Sequence, residues 1–238
     1  MTALLDKIGR VGTATLTTQL MQNHGLFNAS IRGVAPVNPK SCRFAGPAYT
    51  LRYLPLREDL LPRQHLDHPD NRMRPAVESM PAGAVLMLDG NGRRDVGMLG
   101  GNLAMRLKQR GIAGVVTDGG MRDLAEIAAM ELPMFAGGPA PPPSFAKLMI
   151  VDGQCPVAVG GVTVFPGDIV VGDGEGVVVV PAGLAEEVAE GGLAQDHIEG
   201  YIHRRLAHGE ALPGLYPPSA ETTEAYRRWV DAGEPDDF

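Results

Sequence analysis

The stretch Gly97 to Asp123, GMLGGNLAMRLKQRGIAGVVTDGGMRD, decides the fold. Gly100-Gly101-Asn102 opens a helix whose first N–H groups lack intrahelical acceptors and can hold an anion. Leu103 and Leu107 stand four apart and give that helix a buried face. Ala113 to Thr117 is a short apolar run ending at Asp118-Gly119-Gly120, the pattern of a buried strand followed by a tight turn. Arg122 and Asp123 then fall in the loop beyond the strand's carboxyl end, where open α/β sheets place their chemistry. A helix N-terminus, a guanidinium and a carboxylate in one place suit a small carboxylate substrate and a metal ion.

Working outward, Ala84 to Leu88 reads as a second buried strand. Strand 84–88, helix 101–110 and strand 113–117 then form a βαβ crossover, which makes the two strands parallel. A helix at 124–131 and a short strand, Pro133 to Ala136, extend the unit. GGPAPPPS (137–144) is too rich in Gly and Pro for regular structure and reads as a rigid loop. Upstream, residues 2–25 are largely helical, 27–42 are irregular, and AYTLRYL (48–54) is a strand. Residues 55–75 are polar and proline-punctuated, an exposed loop or short helix. From 148 onward the pattern changes to short β runs at 148–151, 157–159, 162–165, 169–171 and 176–180, a β-meander. A helix follows at 182–190, is interrupted by Gly191-Gly192, and resumes to 207. The resulting organisation is one α/β domain over residues 1–207, then a linker (208–218), a last helix (219–231) and the acidic tail Asp231 to Asp237.

The chain has 238 residues and a net charge of −7, which disfavours a nucleic-acid partner because phosphate contacts need a basic face. No apolar run reaches the ~18 residues of a membrane span, and no basic segment followed by an apolar core marks a secretory signal. Cys42 and Cys155 are far apart and form no CxxC, so a reduced, cytoplasmic setting is expected. Aromatic residues make up 5% of the chain, which gives no platform for stacking bases.

Two motifs together, GGNLAMRLKQRGIAGVVTDGGMRD (100–123) and GGVTVFPGDIVVGDGEGVVVVP (160–181), resemble the family that includes the 4-hydroxy-4-methyl-2-oxoglutarate aldolases and the regulator of ribonuclease E activity A. The resemblance implies a swivelling β/β/α domain, assembled as a homotrimer or homohexamer with sites near subunit interfaces. It implies metal-dependent retro-aldol cleavage of a small 4-hydroxy-2-oxo acid, releasing pyruvate, with oxaloacetate decarboxylation beside it. By motif position, the backbone of Gly100, Gly101, Asn102 and Leu103 would hold the substrate, Arg122 would contact it, and Asp123 would anchor a divalent cation, Mg2+ or Mn2+. Relatives often carry an acidic residue after the first motif glycine, whereas Gly101 has no side chain.

The chemistry can be weighed without the family. Retro-aldol cleavage leaves an enolate, which either a lysine Schiff base or a Lewis-acid metal can stabilise. Of the four lysines, Lys7, Lys40 and Lys108 read as surface residues and Lys147 alone is a Schiff-base candidate. Asp123-Leu-Ala-Glu126 also matches a helix N-cap with its acidic partner, and Arg122 could simply pair with Glu126. His65 and His68 form an HxxH in a polar loop without neighbouring Cys. His197, His203 and His208 read as solvated. Asp168 and Asp173 sit in turns and read as structural, with Glu175 an accessory candidate. The leading expectation is a divalent-metal-dependent (class II) pyruvate aldolase. The alternative is a non-catalytic regulator that masks a ribonuclease by protein–protein contact, which requires neither Arg122 nor Asp123.

Overall fold

The N-terminal helical pattern yields two helices, α1 (Thr2–Ile8) and α2 (Thr13–His24), in the computed structural model, which describes residues 1–65 and 67–235. Gly25 closes α2 in the left-handed region at φ 66°. In chain order there follow β1 (Ala35–Pro36), β2 (Phe44–Pro55), α3 (Met73–Ser79), β3 (Val85–Asp89), α4 (Gly101–Gln109), β4 (Gly114–Thr117), α5 (Leu124–Ala129) and β5 (Met134–Ala136). Then come β6 (Leu148–Gly153), β7 (Val157–Val159), β8 (Val162–Val164), β9 (Ile169–Asp173), β10 (Gly176–Val180), α6 (Ala185–Ala207) and α7 (Ala220–Asp231).

β2, β3, β4 and β5 run parallel in the order β5-β4-β3-β2, so the expected crossover through α4 is present. The hub is β2, whose N-terminal half pairs antiparallel with β9 and whose C-terminal half pairs antiparallel with β6. It is longer than the expected 48–54, because Phe44 to Pro47 continue it onto β9. The strands after 148 are therefore not one continuous meander. β9–β10 is a hairpin joined to the main sheet, β7–β8 is a separate two-stranded sheet, and β6 returns to β2.

Side-chain alternation divides this curled sheet into three cores. Leu86, Leu88, Val115 and Met134 face α3, α4 and α5. Val85, Met87, Val116 and Phe135 point the other way, onto Val157, Val159, Val162 and Val164 of the β7–β8 hairpin. That is the β/β/α layering. Ile169, Val171, Val178 and Val180, on the outer face of the β9–β10 hairpin, are covered by α1, α2 and α6.

One helix expectation needs correction. Gly191-Gly192 does not interrupt a helix; α6 runs through both. A Cβ at Gly191 would lie 2.3 Å from Gln19 Oε1, and one at Gly192 would lie 2.6 Å from Val11 Cγ1. The glycines let α6 lie close against α2 and the turn before it. The segment 55–75, expected as an exposed loop or short helix, carries a 3-10 stretch at Glu58–Gln64 and the first residues of α3. Asp236 and Asp237 of the acidic tail lie outside the described residues.

Candidate functional site

The site sits at the carboxyl ends of β3, β4 and β5, where three loops brace one another. Met98 N–H donates to Gly120 O, Arg122 N–H to Leu99 O, Gly97 N–H to Pro142 O and Met121 N–H to Gly138 O. Asp118, which reads in the sequence as a turn residue, locks the neighbouring layer. Its carboxylate accepts from the N–H groups of Gly90, Gly92 and Gly160, tying the β3 loop to the β7–β8 turn. Asp89, at the end of β3, accepts from Asn91 and Ala158 N–H, and burial raises its pKa despite those bonds.

Within this frame the structure brings Gly100 to Leu103, Arg122 and Asp123 together. Asp123 stands at the N-cap position of α5 in the left-handed region, φ 54° and ψ 35°, but makes no capping bond to its own helix. Its Oδ2 instead accepts from Gly101 N–H at 2.9 Å, at the start of α4. The N-cap reading of Asp123 is thus corrected in its object: the carboxylate caps the neighbouring helix. A non-glycine residue held at positive φ is uncommon and marks local strain, a feature that gathers at functional sites. Among the described residues, Asp123 Oδ1 has no hydrogen-bond partner, and neither do the N–H groups of Asn102 and Leu103. A helix of this kind leaves such donors pointing at whatever lies beyond its end.

Arg122 is half-buried and its guanidinium makes no hydrogen bond or ion pair among the described residues, so the expected alternative pair with Glu126 is absent. Its stem fills the space over Gly97, where a Cβ would lie 2.2 Å from Arg122 Cγ; glycine is required there by that approach. Arg122 lines two adjoining hollows. One, of about 260 Å³, is walled by Met121 to Leu124 and Pro139 to Pro141. The other, of about 120 Å³, reaches back toward Tyr53.

Glu126 takes the place of the side chain that Gly101 lacks. A Cβ at Gly101 would lie 2.5 Å from Glu126 Oε2, so this carboxylate rests on the first turn of α4 near Asp123. The sequence offered Glu126 only as a capping partner or as an ion-pair partner of Arg122.

The donor set can be tested against a metal. Among the described residues no three His, Cys, Asp or Glu side chains converge, which does not fit a closed tetrahedral site. One carboxylate with a spare oxygen and a second close by does fit Mg2+, which keeps several waters and takes further oxygens from its substrate.

The other candidates lie apart. Lys147 is exposed and lines neither hollow. Lys7 pairs with Glu186 and Glu190, and Lys108 donates to Met130 O. His65 stacks on Phe145, and His68 Nδ1 accepts from Asp70 N–H. His197 is not merely solvated: its Nδ1 meets Tyr226 Oη at 2.6 Å, and its Nε2 lies 3.2 Å from Glu234. Asp168 and Asp173 are structural, accepting from Phe165 and Ala182 N–H, and from Thr13 and Glu175 N–H, respectively. Glu175 is exposed in the β9–β10 turn and lines neither hollow.

The chain belongs to the RraA-like (Aldolase/RraA) family, whose model matches residues 3–179. It is 35% identical over 144 residues to a Burkholderia mallei protein provisionally named 4-hydroxy-4-methyl-2-oxoglutarate aldolase, covering 60% of this chain and 79% of that one. It is 29% identical over 182 residues to protein DlpA of Legionella pneumophila, covering 76% of this chain but only 28% of DlpA. Among solved structures it is similar to RraAS2 of Streptomyces coelicolor, described as an unusual member of the RNase ES inhibitor RraA family. The TM-score is 0.74 at 30% identity, over 84% of this chain and 94% of that one. No helix among the described residues is long and apolar enough to cross a membrane.

Proposed function

We propose that the protein is a divalent-metal-dependent pyruvate aldolase that cleaves a 4-hydroxy-2-oxo acid. The observation that carries this reading is the left-handed Asp123, whose carboxylate reaches the start of α4 and which lines one hollow together with the unpaired Arg122. The name of the Burkholderia relative supports the same reaction class.

In the reaction the C3–C4 bond breaks, the 4-hydroxyl gives its proton to a water oriented by Glu126 and becomes a carbonyl, and the bonding electrons enter the C2–C3 unit as an enolate. Return of that proton to C3 gives pyruvate. The N–H groups of Asn102 and Leu103, backed by the dipole of α4, bind the substrate carboxylate. Arg122 stabilises the charge that develops on the 2-oxo oxygen. Asp123 would hold the cation, its geometry fixed by the bond from Gly101, with Glu126 orienting water around it. A bound Mg2+ supplies Lewis-acid polarisation of the 2-oxo group. The test is pyruvate release from oxaloacetate, 4-hydroxy-4-methyl-2-oxoglutarate and several 2-keto-3-deoxy sugar acids, with Mg2+ and with EDTA. Mg2+-dependent pyruvate is expected; silence across the panel sinks the reading.

The likeness to RraAS2 favours a second reading, binding and inhibition of a ribonuclease without catalysis. Ribonuclease binding that survives Asp123→Ala, together with catalytic silence, would establish it.

A further inference from the structure

Beside Arg122, the smaller hollow is lined by a residue that carries an unexplained group. Tyr53, on β2, lines it and is 1% exposed. The Tyr53 hydroxyl is fully buried and has no hydrogen-bond partner among the described residues. A phenylalanine would fill the same core position without stranding a polar atom, so the hydroxyl calls for an explanation. Burial raises the phenol's pKa, which leaves it neutral and able to donate.

The rest of the wall restricts what can enter. Met73, Leu103, Phe145, Leu148 and Ile150 are apolar. Gln64, Asn71 and Ser144 also line it, and of these Asn71 and the Gln64 side-chain carbonyl are committed elsewhere. Gln64 Oε1 accepts from Ile150 N–H, Asn71 Nδ2 donates to Gln64 O, and Asn71 Oδ1 accepts from Met73 N–H. Among the described residues, Arg122 is the one cation lining the hollow. Arg63 and Arg72 line a neighbouring open groove instead, 3.5 Å and 3.6 Å from Asp70 and Asp152. With Arg122 engaged at the 2-oxo oxygen, a carboxylate driven into the hollow would lose its water without gaining a second cation. The volume, about 120 Å³, matches about four waters at ~30 Å³ each.

We propose that this hollow receives the part of the substrate beyond C4, and that Tyr53 Oη hydrogen-bonds to an uncharged oxygen there. The substrate class is then a 4-hydroxy-2-oxo acid with a short, neutral, hydroxyl-bearing end, which releases a small hydroxyaldehyde, not a dicarboxylate. This rests on the aldolase reading for its chemistry but not for its pocket.

The experiment compares wild type and Tyr53→Phe on three probes: 4,5-dihydroxy-2-oxopentanoate, 4-hydroxy-2-oxopentanoate and 4-hydroxy-2-oxoglutarate. Pyruvate release and calorimetric Kd are both measured. Wild type is expected to favour the dihydroxy acid over the dicarboxylate by at least about tenfold in kcat/KM. Tyr53→Phe is expected to raise KM and Kd for the dihydroxy acid by about 10- to 100-fold and to leave both unchanged for the methyl-ended acid. Its Tm should not fall, because the lost hydroxyl has no structural partner. Preference for the dicarboxylate, equal Kd in the two proteins, or a lower Tm in the variant each overturns the proposal. Binding with the expected Tyr53 dependence but no cleavage overturns the aldolase reading and leaves the pocket standing. No binding of any probe overturns both.

Discussion

At the scale of single residues, the site depends on two side chains held in place by their backbone. Arg122 N–H is bonded to Leu99 O, and its stem packs over Gly97, so the side chain is held over the loop that leads into α4 at little entropic cost. Arg122→Met keeps the stem and removes the charge. It is expected to lower kcat for pyruvate release by about 10²–10³ with an unchanged Tm, measured by coupled assay and thermal melt. An unaltered kcat would remove Arg122 from the chemistry. The residue types and their order were legible in the sequence, because Gly-Gly-Asn and Arg-Asp flank a recognisable helix and strand. The direction of Asp123 was not, since capping the neighbouring helix depends on the three-dimensional approach of two loops. Glu126 and Asp118 escaped for the same reason. Their partners, Gly101 for the one and Gly90, Gly92 and Gly160 for the other, lie 25 to 42 residues away or are visible only as backbone.

At the scale of elements, local patterning located the strands well and misjudged only what tertiary contact decides. The paired glycines of α6 look like a helix break because glycine is a poor helix former, by about 1 kcal/mol relative to alanine. Packing overrides that preference, since the space over Gly192 is taken by Val11. Gly192→Ala should therefore cost about 1–3 kcal/mol despite its better helix propensity, read as a lower urea midpoint. Val11→Ala in the same chain should recover part of the loss. A stabilised Gly192→Ala would show the contact to be loose. Asp173 fastens α2 to the end of β9, accepting from Thr13 N–H at 2.8 Å and Thr13 Oγ1 at 2.7 Å. Burial alone would raise its pKa, but these bonds and the one from Glu175 outweigh it and the net shift is downward. A carboxylate depressed in the folded state stabilises fully above its unfolded pKa, near ~3.9, and loses that contribution as pH falls through the lower folded value. Asp173→Asn should thus lower stability by about 1 kcal/mol at pH 7, and the deficit should shrink below pH ~4. A deficit that stays constant from pH 7 to pH 3 would contradict this assignment.

At the scale of the whole molecule, the layering is that of the RraA-like family to which the chain belongs. α4 and α5 lie on one face, the parallel strands in the middle and the β7–β8 hairpin on the other. This places Gly100 to Leu103, Arg122, Asp123 and Glu126 at one edge, the carboxyl ends of β3 to β5, while α6 and α7 lie on other parts of the fold. Tyr201 and Ile202 of α6 and Trp229 of α7 form a small cluster of their own with Leu215. The functional claim is therefore concentrated in a few loops and can be tested at one atom. The most direct measurement is pyruvate release as a function of Mg2+ concentration in wild type and Asp123→Asn, with the fold of both checked by thermal melt. The account predicts activity that saturates with Mg2+ and is lost with EDTA in wild type. It predicts a fall of about 10²–10³ in kcat/KM for the folded variant. Pyruvate release that survives EDTA, or an Asp123→Asn variant as active as wild type, would contradict it.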